Sequence, residues 1–129
     1  MPLIHISLLE GKSTEYIKKV ADTVHESLRH AWGIPEHDRF QLIQEYKKTH
    51  FFIDPIMWDI DRSDDVIVIY ITSIPRDESM KQALYKDLME RLGKAVSLRP
   101  QDIFISIVHN QKCDWSFGNG VAQLLQLTQ

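Results

Sequence analysis

The sequence predicts an α+β fold in which two pseudo-symmetric βαβ units form one four-stranded sheet with two helices on one face. Two observations carry that prediction. The first half of the chain aligns on the second at a constant offset without a gap, pairing Ile4 with Val68, Val20 with Leu84, Val24 with Leu88, Leu28 with Leu92, Asp38 with Asp102, Phe40 with Phe104 and Ile43 with Ile107. Both halves also give the same local signals in the same order, as a repeated supersecondary unit does.

The elements follow in turn. Leu3 to Leu9 is apolar and β-prone, and Gly11-Lys12-Ser13 supplies a turn with Ser13 as the N-cap of a helix. Ile17, Val20, Ala21, Val24, Leu28 and Ala31 recur at steps of three and four, making one apolar helix face that Gly33 and Pro35 terminate. Arg39 to Glu45 alternates as a second strand. In the other copy Val66 to Thr72 reads as a buried strand, and Asp77 caps a helix with the face Met80, Ala83, Leu84, Leu88 and Leu92. Gly93 falls near its end, and Ile103 to Val108 closes the unit. Strands alternating with helices imply right-handed crossovers and parallel strand pairs within each unit. The second sheet face is then uncovered, and symmetric self-association would bury it.

The expected layout is a single domain over residues 1–129, with a βαβ unit over 1–48, a connecting segment over 49–65, a second unit over 66–112 and a C-terminal segment over 113–129. Phe51, Phe52, Ile56, Met57 and Trp58 in the connecting segment read as packing or subunit contacts. A chain of 129 residues with 26% charged and 43% hydrophobic residues suits an ordinary soluble globular domain. Its net charge of −3 gives no reason to expect nucleic acid or an anionic membrane as partner. The lone Cys113 excludes an internal disulfide, fits a reducing compartment and reads as a small packing residue. No secretion signal is visible, and the longest apolar run, Val66 to Ile71, is too short to cross a bilayer, so the expected location is cytoplasmic.

The chemistry gathers at the chain start. Removal of Met1, favoured by the small residue that follows, would leave Pro2 with a free secondary amine. An α-amino group has a pKa of roughly 7.7–8.0, so modest burial or nearby charge decides whether it serves as base or acid at neutral pH. If the two units meet through antiparallel first and third strands, Pro2 comes to lie near Ile74, Pro75 and Arg76. The parallel second strand brings Asp38 and Arg39 to the same end. An amine, a carboxylate and a guanidinium are what proton transfer on a small oxo acid requires: the amine exchanges the proton, the carboxylate orients water or tunes the amine, and the guanidinium grips the substrate carboxylate. The repeat-related end has Val66 where the chain terminus would be, so the pattern implies one such site per chain. The six histidines lack a tight ligand spacing, and no metal is expected.

With Pro2-Leu3, Glu10-Gly11, Asp38-Arg39, Pro75-Arg76 and Asp114-Trp115-Ser116-Phe117-Gly118 in place, the sequence resembles the tautomerase superfamily, and within it the branch of malonate semialdehyde decarboxylase and its relatives. The resemblance spans nearly the whole chain. It implies a catalytic Pro2 acting as cationic acid or as base, an Asp38 that activates water or assists the proline, and no cofactor. Of the two arginines that hold the carboxylate in that branch, one matches Arg76 and the other matches Ile74. Trp115, Phe117 and Leu124 match apolar pocket positions, so a wall with one cation fewer is expected to suit a larger or less charged substrate. The resemblance also implies a homotrimer with pockets at subunit boundaries. Decarboxylation or hydration of a malonate-semialdehyde-like acid and enol–keto tautomerisation are the reactions it implies; a non-enzymatic trimer that binds another protein is the alternative.

Overall fold

A computed structural model describes residues 1–126. The strands are β1 (Leu3–Leu9), β2 (Gln41–Tyr46), β3 (Ile67–Ser73) and β4 (Ile103–His109). The helices are α1 (Thr14–Trp32), α2 (Glu78–Val96) and the short α3 (Gln123–Gln126). The strands form one sheet in the order β2-β1-β3-β4, with β1 antiparallel to β3 and parallel pairs within each repeat.

The helix boundaries have local causes. Ser13 accepts a hydrogen bond from the Tyr16 N–H at 3.0 Å and Asp77 one from the Met80 N–H at 2.9 Å, satisfying amides that the first turn leaves unpaired. Gly33 ends α1 at φ 69°, a left-handed conformation that glycine reaches without a Cβ clash. Gly93 lies near the end of α2, as expected, and the helix runs through it to stop at Ser97, itself left-handed at φ 57°, whose N–H returns to the Gly93 carbonyl. Strand β2 starts later than Arg39 because that arginine turns to Asp22 and to Gln41, while the Phe40 carbonyl already accepts from the Ile4 N–H. Strand β3 starts and ends one residue later than the sequence suggests.

One sheet face carries the core. Ile4, Ile6 and Leu8 stand opposite Ile71, Ile69 and Ile67, and Val20, Val24, Leu28, Leu84, Leu88 and Leu92 from the two helices pack onto them in one cluster. Each of these side chains contributes about 1.5–3 kcal/mol by leaving water. The opposite face keeps Leu42, Tyr70, Phe104 and Val108 exposed. In the connecting segment Phe52 and Trp58 are also exposed, so these two are not packing residues within the chain. Cys113 is likewise exposed rather than packed, because it sits on a turn (Lys112–Asp114) closed outside the core by Gln111 and Asp114.

The two repeats treat their matched aspartates differently. Asp102 is fully buried and accepts from the Ser63 N–H and hydroxyl at 2.7 Å and from the Arg99 Nε at 3.0 Å. Burial alone would raise its pKa, but these donors outweigh it and hold the carboxyl below its ordinary 3.8. Asp102→Asn turns an amide donor toward these donors and is expected to cost about 2–3 kcal/mol, read as a lower urea midpoint. Because the folded pKa is the lower one, the carboxylate's contribution is complete above the ordinary value and fades as pH falls through the folded pKa. An unchanged midpoint would show that Asp102 does not hold the 63–66 turn.

Candidate active site

The other aspartate faces the chain start. The terminal amine of Met1 forms an ion pair with the Asp38 carboxylate, and Arg76 acts electrostatically on both. Three segments meet here because β1 begins where β3 ends and where β2 begins, as the paired registers require. Met1 precedes Pro2, so the free amine belongs to Met1 and the buried Pro2 nitrogen lies in a peptide bond one residue inward. Burial pulls the Met1 amine below its ordinary value of 8.0; Asp38 opposes this by hydrogen bond and charge, and Arg76 adds to the lowering. An amine at this place therefore exchanges its proton closer to neutrality than an exposed one.

Arg76 is held from behind. Its guanidinium carbon lies 4.9 Å from the centre of the Trp32 ring, whose indole N–H is bound to the Met80 carbonyl at 2.9 Å. Its Nε donates to the Ser73 hydroxyl at 3.4 Å, and its backbone N–H to His109 Nε2 at 3.4 Å. Burial lowers the guanidinium pKa and the charge of Asp38 opposes that. A cation stacked on an indole and stripped of part of its water is a strong carboxylate receptor.

A pocket of about 400 Å³ at the same end of the sheet is lined by Leu3, Phe40, Thr72, Asn110, Asp114, Trp115, Ser116 and Phe117. Three of its lining residues are sequence neighbours of the charged cluster: Leu3 follows Pro2, Phe40 follows Asp38 by two residues, and Thr72 adjoins Ser73. Its aromatic wall is a stack in which Phe117 lies between Phe40, at 6.3 Å between ring centres, and Trp115, at 5.7 Å. Other hollows lie between the helices or at the opposite end of the sheet, away from the terminal amine.

The structure thus brings together the chain start, Asp38 and Arg76, and sets Trp115 and Phe117 in the adjoining wall. Leu124 is buried in α3 and is not among the residues lining this pocket. Ile74 is half-buried beside Arg76 in sequence and adds no charge. Sequence reasoning missed Phe40, Asn110, Trp32 and Ser73. Phe40 could have been found from its position two residues after Asp38; the other three have signals only in three dimensions. No cluster of three or more metal-ligating side chains occurs among the described residues, and buried His25 is bound to the Glu36 carbonyl at 2.9 Å.

Comparison with known proteins gives the family. Residues 38–118 match the sequence family described as tautomerase enzyme, and residues 2–59 match a second family of the same description. The probable tautomerase YusQ of Bacillus subtilis (strain 168) is 38% identical over 127 residues, covering 98% of this chain and 100% of that protein. The probable tautomerase YrdN of the same organism is 36% identical over 125 residues, 97% of each chain. Among solved structures, malonate semialdehyde decarboxylase superposes with a TM-score of 0.93 at 29% identity, covering 98% of both chains. On the sequence families and these relatives, the chain belongs to the tautomerase family.

Proposed function

We propose that the protein is an enzyme in which Pro2, freed by removal of Met1, acts as general acid–base on a small oxo acid. The observation that carries this reading is the meeting of a chain-start amine, Asp38 and Arg76 beside a pocket with an aromatic wall. Arg76 takes the substrate carboxylate, Asp38 tunes the amine or orients water, and Trp115 and Phe117 shield the reacting atoms. On the same reading Leu124, buried in α3, adds to the apolar lining on the substrate side.

A cationic Pro2 donates a hydrogen bond to the carbonyl oxygen of a 3-oxo acid. The bond from the α-carbon to the carboxylate then breaks, its electron pair forms the enol, and carbon dioxide leaves; alternatively, water adds to the polarised carbonyl. A neutral Pro2 takes the proton of an enol hydroxyl and returns it to carbon, giving the keto form. Malonate semialdehyde decarboxylase, described with decarboxylase and hydratase activities, has been solved with its leading proline replaced by alanine, which supports a role for such a proline here. The single guanidinium, with Ile74 beside it, favours substrates with one carboxylate.

The same reading includes a homotrimer acting in the cytoplasm. The uncovered sheet face supports association, as do fused 4-OT trimers of the same fold at 14% and 21% identity.

A panel of short 3-oxo acids and 2-oxo acid enols tests the proposal. Turnover of at least one, by protein whose intact mass shows Met1 absent, is the expected result. No turnover of any would reject catalysis in favour of a binding module.

A further inference from the structure

One polar group in the pocket wall, on Asn110, has no protein partner among the described residues. Its Oδ1 accepts from the Trp115 indole N–H at 2.6 Å, and its backbone N–H is bound to the Ser73 carbonyl at 2.8 Å. An indole N–H can only donate, so the amide oxygen must face Trp115 and the Nδ2 donors must face away. Those donors meet no acceptor among the described residues, although Asn110 is half-buried and lines the pocket. The Arg76 Nε donates to the Ser73 hydroxyl, so Asn110 and Arg76 are both bound to Ser73 at the end of β3.

We propose that Asn110 is a specificity-determining residue whose Nδ2 donates a hydrogen bond to a neutral carbonyl oxygen of a substrate whose carboxylate sits on Arg76. This rests on the reading of the pocket as an oxo-acid site and names the second polar group that the site takes. Position 74 offers no second cation, and a neutral amide donor suits an uncharged oxygen, with less attraction for a second carboxylate. Trp115 then has two tasks: it walls the pocket, and through its N–H it locks the amide with the donors toward substrate. The pocket therefore selects an acid carrying one carboxylate and one carbonyl acceptor over an equally large acid with no second acceptor.

Two inert ligands of similar size test this by calorimetric or NMR titration of the mature protein: malonamate, with a carboxylate and a neutral carbonyl, and butyrate, with the carboxylate alone. Malonamate is expected to bind about five- to tenfold more tightly, the usual worth of one net hydrogen bond. Asn110→Leu removes that gap, weakening malonamate by more than it weakens butyrate, which feels only the loss of the Trp115 acceptor. Asn110→Asp, which keeps an acceptor for Trp115 and removes the donors, also removes the gap, so it stands in should the leucine variant fail to fold. If Asn110 only holds Trp115, Asn110→Leu weakens both ligands equally and Asn110→Asp preserves the ratio; either result overturns the proposal. Arg76→Gln weakens both ligands if the site is an oxo-acid site. Binding of neither ligand, or indifference to Arg76→Gln, overturns that reading and this inference with it, whereas Arg76-dependent binding with no malonamate preference overturns this inference alone.

Discussion

Pro2→Ala is expected to lower turnover by about 10²–10⁴-fold, the range over which a positioned general acid–base acts. The ring of Pro2 fixes its nitrogen at the foot of β1, whereas a primary amine on alanine rotates freely and is hydrated differently. Lys12, the repeat partner of Arg76, does not supply a substitute amine, since it is committed to Asp65 at the opposite end of the sheet. A companion measurement follows from the Met1 amine occupying the place beside Asp38. While Met1 remains, the Pro2 nitrogen is an amide without a basic lone pair, so specific activity should scale with the fraction of chains whose intact mass lacks Met1. Full turnover by Pro2→Ala, or by protein that retains Met1, would remove the Pro2 ring nitrogen from the mechanism.

Arg76→Gln is expected to reduce kcat/KM for carboxylate substrates by about 10–100-fold, as loss of a charged hydrogen bond of about 1.5–3 kcal/mol does. The same substitution has a second signature in the pH profile. Arg76 lowers the pKa of the chain-start amine, and Asp38 raises it. The same charges are expected to act in the same directions on the Pro2 nitrogen once it becomes the terminus. Removing the guanidinium therefore moves the amine-controlled limb of the pH–rate profile to higher pH, while Asp38→Asn moves it to lower pH. The direction is the same whether Pro2 works as acid or base; what differs is the side of the limb that is active. Activity below the limb marks the cationic acid, and activity above it the neutral base. Shifts of the same sign in both variants, or none in either, would show that these side chains do not face the amine.

Much of the fold is legible from local signals. Ser13, Gly33 and Asp77 act at helix ends through groups only a few residues away, so their roles can be read along the chain. The apolar steps from Ile17 to Ala31 and the apolar strand residues Ile67, Ile69 and Ile71 fix which faces turn inward, because burial follows the helix and strand periods. The end of α2 was less legible: Gly93 is a helix breaker by propensity, yet three further residues stay helical and Ser97 takes the left-handed position. The site was legible only in part. Asp38 and Arg76 follow from the repeat and from the order in which the strands must pair, but Leu124 lies in α3, whose four residues carry no periodicity to orient it.

By itself the sequence determined the repeated unit, the sheet with helices on one face, and the three segments that bring an amine, a carboxylate and a guanidinium to one end. These depend on periodicity, caps and chain connectivity, all of which are written in neighbouring residues. Only the tertiary structure decided that Trp32 backs Arg76, that Phe40 joins the aromatic wall, and that the Asn110 amide is turned by Trp115 with its donors free. Those contacts cross between elements far apart in sequence, where the direction of a side chain is set by packing and by the one partner geometry that satisfies each polar atom.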